Sequence, residues 1–409
     1  MCAFPVASAL AVAEVQGLYG AFSFSEKLLQ KIWLRGDFER AAAIMTDGRR
    51  VHIGHPGKWN LLAGPDFLGA KLRLGDESGP EKTGDVEVHL HVGDWDAHGH
   101  ARDPAYSSVI LHVVLYPPDH ARPTEGTEGR PIPVLALLPL LHRSLEEFAA
   151  DDAVEALARR PMAQLAEALG RLAAGEIDDL LRRCAALRWR QKVRFARLRL
   201  QRLGWEAACH HTALEILGYR FNRSPMLRLA GQFPLSAWAR GSIDPEEAYA
   251  LEREGWSLHG VRPANHPRRR LRQYAAWAAA RPDWAGKLQS LASDLPVVDA
   301  AESDTRKVRR SGHFPRWRDR IAREVFAGVV GGTRLDNLVC DGALPLLAAA
   351  ECPALQGIWQ HWFAGDLPPM LAGGLRHLGV FDGRSRPVCH GMAQGLLGWL
   401  LEREAQPNG

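Results

Sequence analysis

No Cys-x-x-Cys pair occurs in this 409-residue chain; its six cysteines, Cys2, Cys184, Cys209, Cys340, Cys352 and Cys389, are scattered. That spacing excludes a zinc ribbon and argues against a disulfide framework, so the thiols are expected to be reduced and the protein cytoplasmic. Cys389-His390 and Cys209-His210-His211 read as buried cysteines beside surface histidines. No apolar run reaches the roughly 18 residues of a membrane span, so no membrane partner is expected. The start, "MCAFPVASALAVAEVQG", has no basic residue ahead of its apolar part, which speaks against a secretory signal. Internal repeats and low-complexity tracts are also lacking.

What is present is an ordinary globular composition, 46% hydrophobic and 24% charged, with a formal net charge of +4. The charge is unevenly spread. From Met1 to His120 there are 11 Lys and Arg against 15 Asp and Glu, and the remainder carries 40 against 32. An acidic N-terminal part and a basic C-terminal part suit a charged site on one and a polyanion contact on the other.

Along the chain, "SFSEKLLQKIWLRGDFERAAAIM" spaces Leu28, Leu29, Ile32 and Trp33 at helical intervals, with Ser25 as cap and Glu26 in the first turn. "RRVHIGHPGKWN" predicts a short strand entering a turn. "GPDFLGAKLRLG" alternates Leu68, Ala70, Leu72 and Leu74 inward with Lys71 and Arg73 outward, and "DESGPEKTG" is a hairpin loop. The third strand, "GDVEVHLHVGDW", sends Val86, Val88, Leu90 and Val92 to one face and Asp85, Glu87, His89 and His91 to the other. A polar crossover, "DWDAHGHARDPAYSS", precedes "VILHVVLY", a buried central strand in which His112 reads as a hydrogen-bonded core histidine. From about Leu141 the pattern is helical. The predicted architecture is an α/β module over 1–135, with a helix, a three-stranded hairpin sheet, a crossover and a further strand, followed by a mainly α-helical region over 136–409 with a break near 240–300.

Asp66 follows Pro65 at the head of the second strand, and Glu87 lies about twenty residues on, across a hairpin. Neighbouring strands run about 4.8 Å apart, so two such carboxylates can converge on one hard divalent cation. Pro-Asp, a hairpin, then Glu-x-His resembles the PD-(D/E)XK nucleases, in which the acids hold magnesium and a lysine helps to activate the attacking water. The resemblance implies a restriction-endonuclease-like fold with Asp66, Glu87 and His89 as catalytic residues. Asp66 and Glu87, with Glu26 as the helix acid, become metal ligands for Mg²⁺ or Mn²⁺; apart from the resemblance, His89 and His91 form a His-x-His pair, which makes His91 a further candidate ligand. His89 stands in the lysine's place, where a neutral imidazole would orient the water or bind a softer ion. Asn60, Asp94, His98 and His100 are candidate site-lining residues. For Asn60, and for the "HGHARD" segment that includes Asp103, a structural or hydrated-loop role is the competing expectation.

A second resemblance spans most of the chain. "KIWLRGDF", "GKWNLLAGPDF", "LGYRFNRSPMLRLA", "GVRPANHPRRRL" and "QGLL" look like a bacterial family recorded as a domain of unknown function, number 2851. It implies no activity.

The segment "LRRCAALRWRQKVRFARLRLQRLGW" carries an apolar stripe, Trp189, Val193, Ala196, Leu200 and Leu203, in a dense basic surround with almost no acids for i,i+4 pairing. Arg188, Arg190, Lys192, Arg194 and Arg197 are therefore expected to contact nucleic-acid phosphates. Three functional expectations follow from the sequence: a metal-dependent nuclease on DNA or RNA, a non-catalytic nucleic-acid-binding or scaffold protein with a degenerate nuclease-like site, and a His-based metalloenzyme with a small-molecule substrate.

Overall fold

The computed structural model describes residues 25–405 apart from 77, 119–122, 143–144, 146, 150–151, 153–168, 220–221, 254, 259–260, 351–352, 368 and 382–386. Contacts divide the chain into Ser23–Ala149 and a second unit from Ala150 onward. The first unit thus extends past the expected limit at 135, because a strand at Val134–Ala136 and Leu141, Leu145 and Phe148 all pack with it.

The first unit opens on helix α1, Glu26–Arg35. The Ser25 side chain accepts from Leu28 N, Glu26 sits in the first turn, and Gly36 closes the helix at φ 62°, a left-handed conformation natural to glycine. Leu28, Leu29, Ile32 and Trp33, the stripe read from the sequence, are all buried. Among the described residues, six strands then form one mixed sheet: β1 Val51–His55, β2 Lys58–Trp59, β3 Phe67–Leu74, β4 Lys82–His89, β5 Val109–Val114 and, fifth along the main path, the segment Val134–Ala136. The order is β1, β3, β4, β5, Val134–Ala136, with β2 on β3. The first three pair antiparallel, and the last two add parallel to β4. Between β4 and β5 the chain forms a short helix α2, Asp94–Ala97, and two 3-10 turns, His100–Arg102 and Pro104–Tyr106. A two-stranded ribbon, Thr124–Glu125 with Pro131–Ile132, leads into the last strand, which follows Pro133 directly and was not read from the sequence.

One expectation about the sheet is corrected, and the polar face of β4 is defined. In β3 the alternation slips: Phe67, not Leu68, is buried, and Leu68 is 41% exposed. A bulge between Phe67 and Ala70, with Gly69 at φ 66°, supplies the extra residue. In β4 the second face is not solvated. Glu87 and His89 are 5% and 1% exposed, because Trp95, Tyr106, Val109 and Ile132 form a small apolar cluster of their own while α1 packs with Val86, Val88, Leu111 and Val113 in the main core.

The second unit is helical. Its helix α3, Ala174–Leu203, buries Trp189 and Ala196, and Val193, Leu200 and Leu203 pack partly buried on the same core, as the apolar stripe predicts. One hydrophobic core runs from Ala185 to Trp362 and includes Trp238, Leu271 and Trp277, and a smaller one joins Ile177 and Leu181 to Leu396 and Leu400. Cys184, Cys209, Cys340 and Cys389 are free and buried; Cys2 and Cys352 lie outside the described residues. His210 and His390 are 1% and 2% exposed, not the surface histidines expected beside their cysteines. No described helix is long and apolar enough to cross a membrane.

Candidate functional site

Asp66 reaches its position through a tightly bonded turn. The Asn60 side chain donates to the carbonyls of Ala63 and Pro65 at 3.1 and 3.0 Å and accepts from Leu62 N, while Asn60 N donates to Asp66 O. Asn60 therefore holds the loop that presents Asp66. The Asp66 carboxylate accepts from Gln30 Nε2 of α1 at 2.6 Å and from Val88 N of β4 at 3.1 Å. Gln30 is itself fixed by Trp59 Nε1. In return Asp66 N donates to Glu87 Oε2 at 2.9 Å, so the two acids read from the sequence are brought side by side across the β3–β4 pair.

Burial dominates their electrostatics. Desolvation, with Asp66 beside it, pushes Glu87 up to about 8; desolvation raises Asp66 to about 6 despite the Gln30 and Val88 hydrogen bonds. Glu26, on the first turn of α1, is also raised by burial, and its charge adds to the pressure on both. Three carboxylates thus share a small volume in which not all can ionise without a compensating cation.

Imidazoles complete the cluster. His89 Nε2 and His100 Nε2 approach Glu87 Oε1 at 3.5 and 3.4 Å, and His89 Nε2 lies 3.1 Å from His98 Nδ1. Nitrogen atoms of His89, His98 and His100 all fall within 4.8 Å of one another. Behind them His89 Nδ1 faces His112 Nε2 at 2.9 Å, and His112 Nδ1 faces Thr124 Oγ1 at 2.7 Å, a relay that orients the His89 ring from the inside. Burial holds His89 down to about 4 and His112 to about 3, so both are neutral near pH 7. His100 is lowered as well, stacks on Tyr106 at 3.8 Å, and its Nε2 is buried with no hydrogen-bond partner among the described residues.

His91 does not join this group. The strand ends at His89, so the two-residue period no longer applies, and His91 is exposed and stacked on Tyr116 at 4.8 Å. Asp94 accepts from His91 N at 2.8 Å and closes the turn; its field reaches Glu26 and His89 from the margin of the site. Asp103 accepts from Ala105 N and caps a 3-10 turn. Gln30, Tyr106, His112 and Thr124 were missed as site residues. His112 carried a signal: a histidine inside an apolar strand must be paired, and β5 sets it opposite Glu87.

A family model described as "Protein of unknown function (DUF2851)" matches residues 26–252, more than half of the chain. The chain belongs to the DUF2851 family. The match takes in every residue of the cluster, whereas "GVRPANHPRRRL" and "QGLL" lie beyond its end. Neither the curated proteins nor the solved structures give a match to the chain.

The basic helix of this DUF2851 chain departs from expectation. Partners distant in sequence occupy much of its charge: Lys192 pairs with Asp341 at 2.7 Å, Arg199 with Glu215 at 2.7 Å, and Arg188 bonds Gln191 and Gln394. Arg194 is half-buried; Arg190 and Arg197 are exposed. Counting only i,i+4 acids overlooked carboxylates delivered by other helices.

Proposed function

We propose that this protein is a metal-dependent hydrolase of phosphodiesters, acting on DNA or RNA, with its centre at Asp66, Glu87 and the neighbouring imidazoles. The observation that carries the reading is the joining of Asp66 and Glu87, 21 positions apart, through the Asp66 N to Glu87 Oε2 hydrogen bond, with burial raising both carboxyls. The antiparallel β1, β3, β4 portion continued by two parallel strands suits the restriction-endonuclease-like arrangement that the PD-(D/E)XK resemblance implies.

The residues present fit a divalent cation: nitrogen atoms of His89, His98 and His100 lie within 4.8 Å of one another, Glu87 Oε1 stands 3.5 and 3.4 Å from His89 and His100 Nε2, and the Asp66 oxygens, held by Gln30 and Val88, back Glu87 from behind. Mixed carboxylate and imidazole donors favour Mn²⁺ over Mg²⁺. A bound cation would polarise a phosphoryl oxygen and lower the pKa of a water. If His98, His100 and Glu87 held the cation, His89, neutral and oriented by His112 through Nδ1, would keep Nε2 free to accept the proton of that water; exposed His98 stands on the solvent side.

The test is cleavage of labelled DNA and RNA with Mn²⁺, Mg²⁺ or Zn²⁺, alongside Asp66→Asn and Glu87→Gln. Each substitution is expected to lower cleavage at least 100-fold with the fold retained. Activity surviving both would sink the mechanism. The three-histidine group specifically favours a second reading, a His-based metalloenzyme with a small-molecule substrate; tight Zn²⁺ or Fe²⁺ binding lost in His98→Ala and His100→Ala, with no nucleic-acid cleavage, would select it.

A further inference from the structure

Residues 305–323 of the helical unit carry eight Lys and Arg against a single acid, Asp319. They lie on two helices, Thr305–Ser311 and Phe314–Glu324, joined through Gly312 and His313, and a left-handed φ of 51° at His313 turns the chain between them. The helices pack together: Arg309 of the first and Arg318 of the second lie over the same Phe363 ring, 4.5 and 5.7 Å from its centre. Much of the charge is engaged within the fold. Lys307 pairs with Glu302 at 2.8 Å, Arg318 with Asp336 at 2.8 Å, and Arg320 with Asp294 and Glu324 at 3.0 and 3.1 Å. Arg309 donates to the carbonyls of His361, Trp362 and Val388, and Arg323 to that of Asp319.

Arg306, Arg310 and Arg316 are left over. All three are exposed, and among the described residues their side chains have neither a hydrogen-bond nor an ion-pair partner. Arg306 and Arg310 stand about one turn apart, roughly 6 Å along the helix axis, where like charges repel. Backbone bonds from His313 N to Arg310 O at 3.3 Å and from Arg316 N to His313 O at 3.0 Å carry the row on to Arg316. The acids around it are taken: Glu302, Asp294, Glu324 and Asp336 by the pairs above, and Asp304 by the Lys307 N–H that it caps. The apolar side of both helices is turned inward, with Val308, Phe314 and Ile321 buried and Trp317 packed half-buried on the same core. No large apolar side chain is exposed between 305 and 323.

We propose that Arg306, Arg310 and Arg316 form a ridge that holds the sugar-phosphate backbone of a nucleic acid. A row of unmatched cations complements a row of phosphates, and guanidinium forks fit phosphate oxygens in pairs. A membrane-surface helix needs exposed apolar side chains to insert, and the ridge offers charge alone. Such contacts fix a strand in place without reading its bases. The proposal takes its partner class from the nuclease reading, but it needs neither a cation nor Asp66 and Glu87, so either can fail without the other.

Fluorescence anisotropy of the full chain with short labelled DNA and RNA tests it, over a series of salt concentrations and in EDTA, so that binding is read apart from cleavage. Wild type is expected to bind and to weaken as salt rises. The triple variant Arg306→Gln, Arg310→Gln, Arg316→Gln, which breaks no pair in the fold, is expected to melt as wild type does and to bind about tenfold more weakly, with a salt slope lower by roughly 2 to 3. A control removes the same net charge from exposed arginines already paired with Asp47 and Glu246: Arg49→Gln, Arg268→Gln, Arg272→Gln. It should bind within about threefold of wild type, since those charges are matched. Ridge-dependent binding without any cleavage would remove the nuclease reading and leave this one standing. An equal loss in the two triple variants, no binding by wild type, or preference for phosphatidylserine vesicles over nucleic acid would overturn the proposal.

Discussion

Glu87 sets the proton chemistry of the carboxylate site. With its carboxyl pushed up to about 8, it carries a proton at neutral pH that a divalent cation must displace. Metal affinity is therefore expected to rise roughly tenfold per pH unit between about pH 6 and 8, for one proton released, and to level off above, where Glu87 is already ionised. Calorimetry in buffers of different ionisation enthalpy reads the released proton directly; pH-independent affinity would show that the cation binds elsewhere. His112 is the counterpart behind the site. Replacing it by Leu leaves His89 Nδ1 buried and unpaired, at a cost of about 1–3 kcal/mol in urea denaturation. Metal affinity should fall with it, since nothing then orients His89.

At the level of the element, the β3 bulge is what joins sequence pattern to site. The slip between Phe67 and Ala70 turns Phe67 into the core, while Gly69 N donates to Asp85 Oδ1 at 2.9 Å. Gly69→Val has open space for its side chain but must hold φ 66°, so it should destabilise by about 1–2 kcal/mol through backbone strain. Metal binding should weaken beyond what that loss explains, because Asp66 loses its register. In the helical unit, a Cβ on Gly395 of the helix His390–Ala405 would stand 2.1 Å from the Leu181 carbonyl of α3. Gly395→Ala must therefore separate two helices, and a loss of about 1–3 kcal/mol by chemical denaturation is expected. The periodic elements were legible: α1 through its stripe and cap, β5 through its apolar run, α3 through Trp189 to Leu203. The bulge and the last parallel strand were not, since one depends on a single glycine's conformation and the other is only three residues long, too short for its period to show.

Across the whole molecule, buried histidines set the acid limit of stability. Burial pushes His210, His361 and His390 each down to about 4 from an ordinary 6.5. A depressed histidine contributes stability that is complete above pH 6.5 and is lost as pH falls toward 4, because the unfolded chain takes up the proton first. Each is worth at most about 3 kcal/mol, so the melting temperature should drop steeply between pH 6.5 and 4.5. Asp66 and Glu87 act with the opposite sign: raised carboxyls favour folding at low pH and oppose it as pH climbs through 6 and 8. Added Mn²⁺ should abolish that alkaline loss. Hydrogen exchange followed separately in Ser23–Ala149 and in the helical unit distinguishes the two trends.

The amino-acid order alone determined the α/β-then-helical architecture and the candidacy of Asp66 and Glu87, since strand and helix periods and Pro-Asp to Glu spacing are local properties of the chain. Tertiary structure decided the rest. It left His91 out of the group, turned His98 and His100 from candidate lining residues into members of the imidazole cluster, and added His112 behind it, because β4 ends at His89 and the crossover folds back over its polar face. It also drew Lys192 and Arg199 of the basic helix into ion pairs with Asp341 and Glu215. Charges on different helices, 16 or 149 residues apart, meet only when the core closes, and no local period encodes which of them will find a partner.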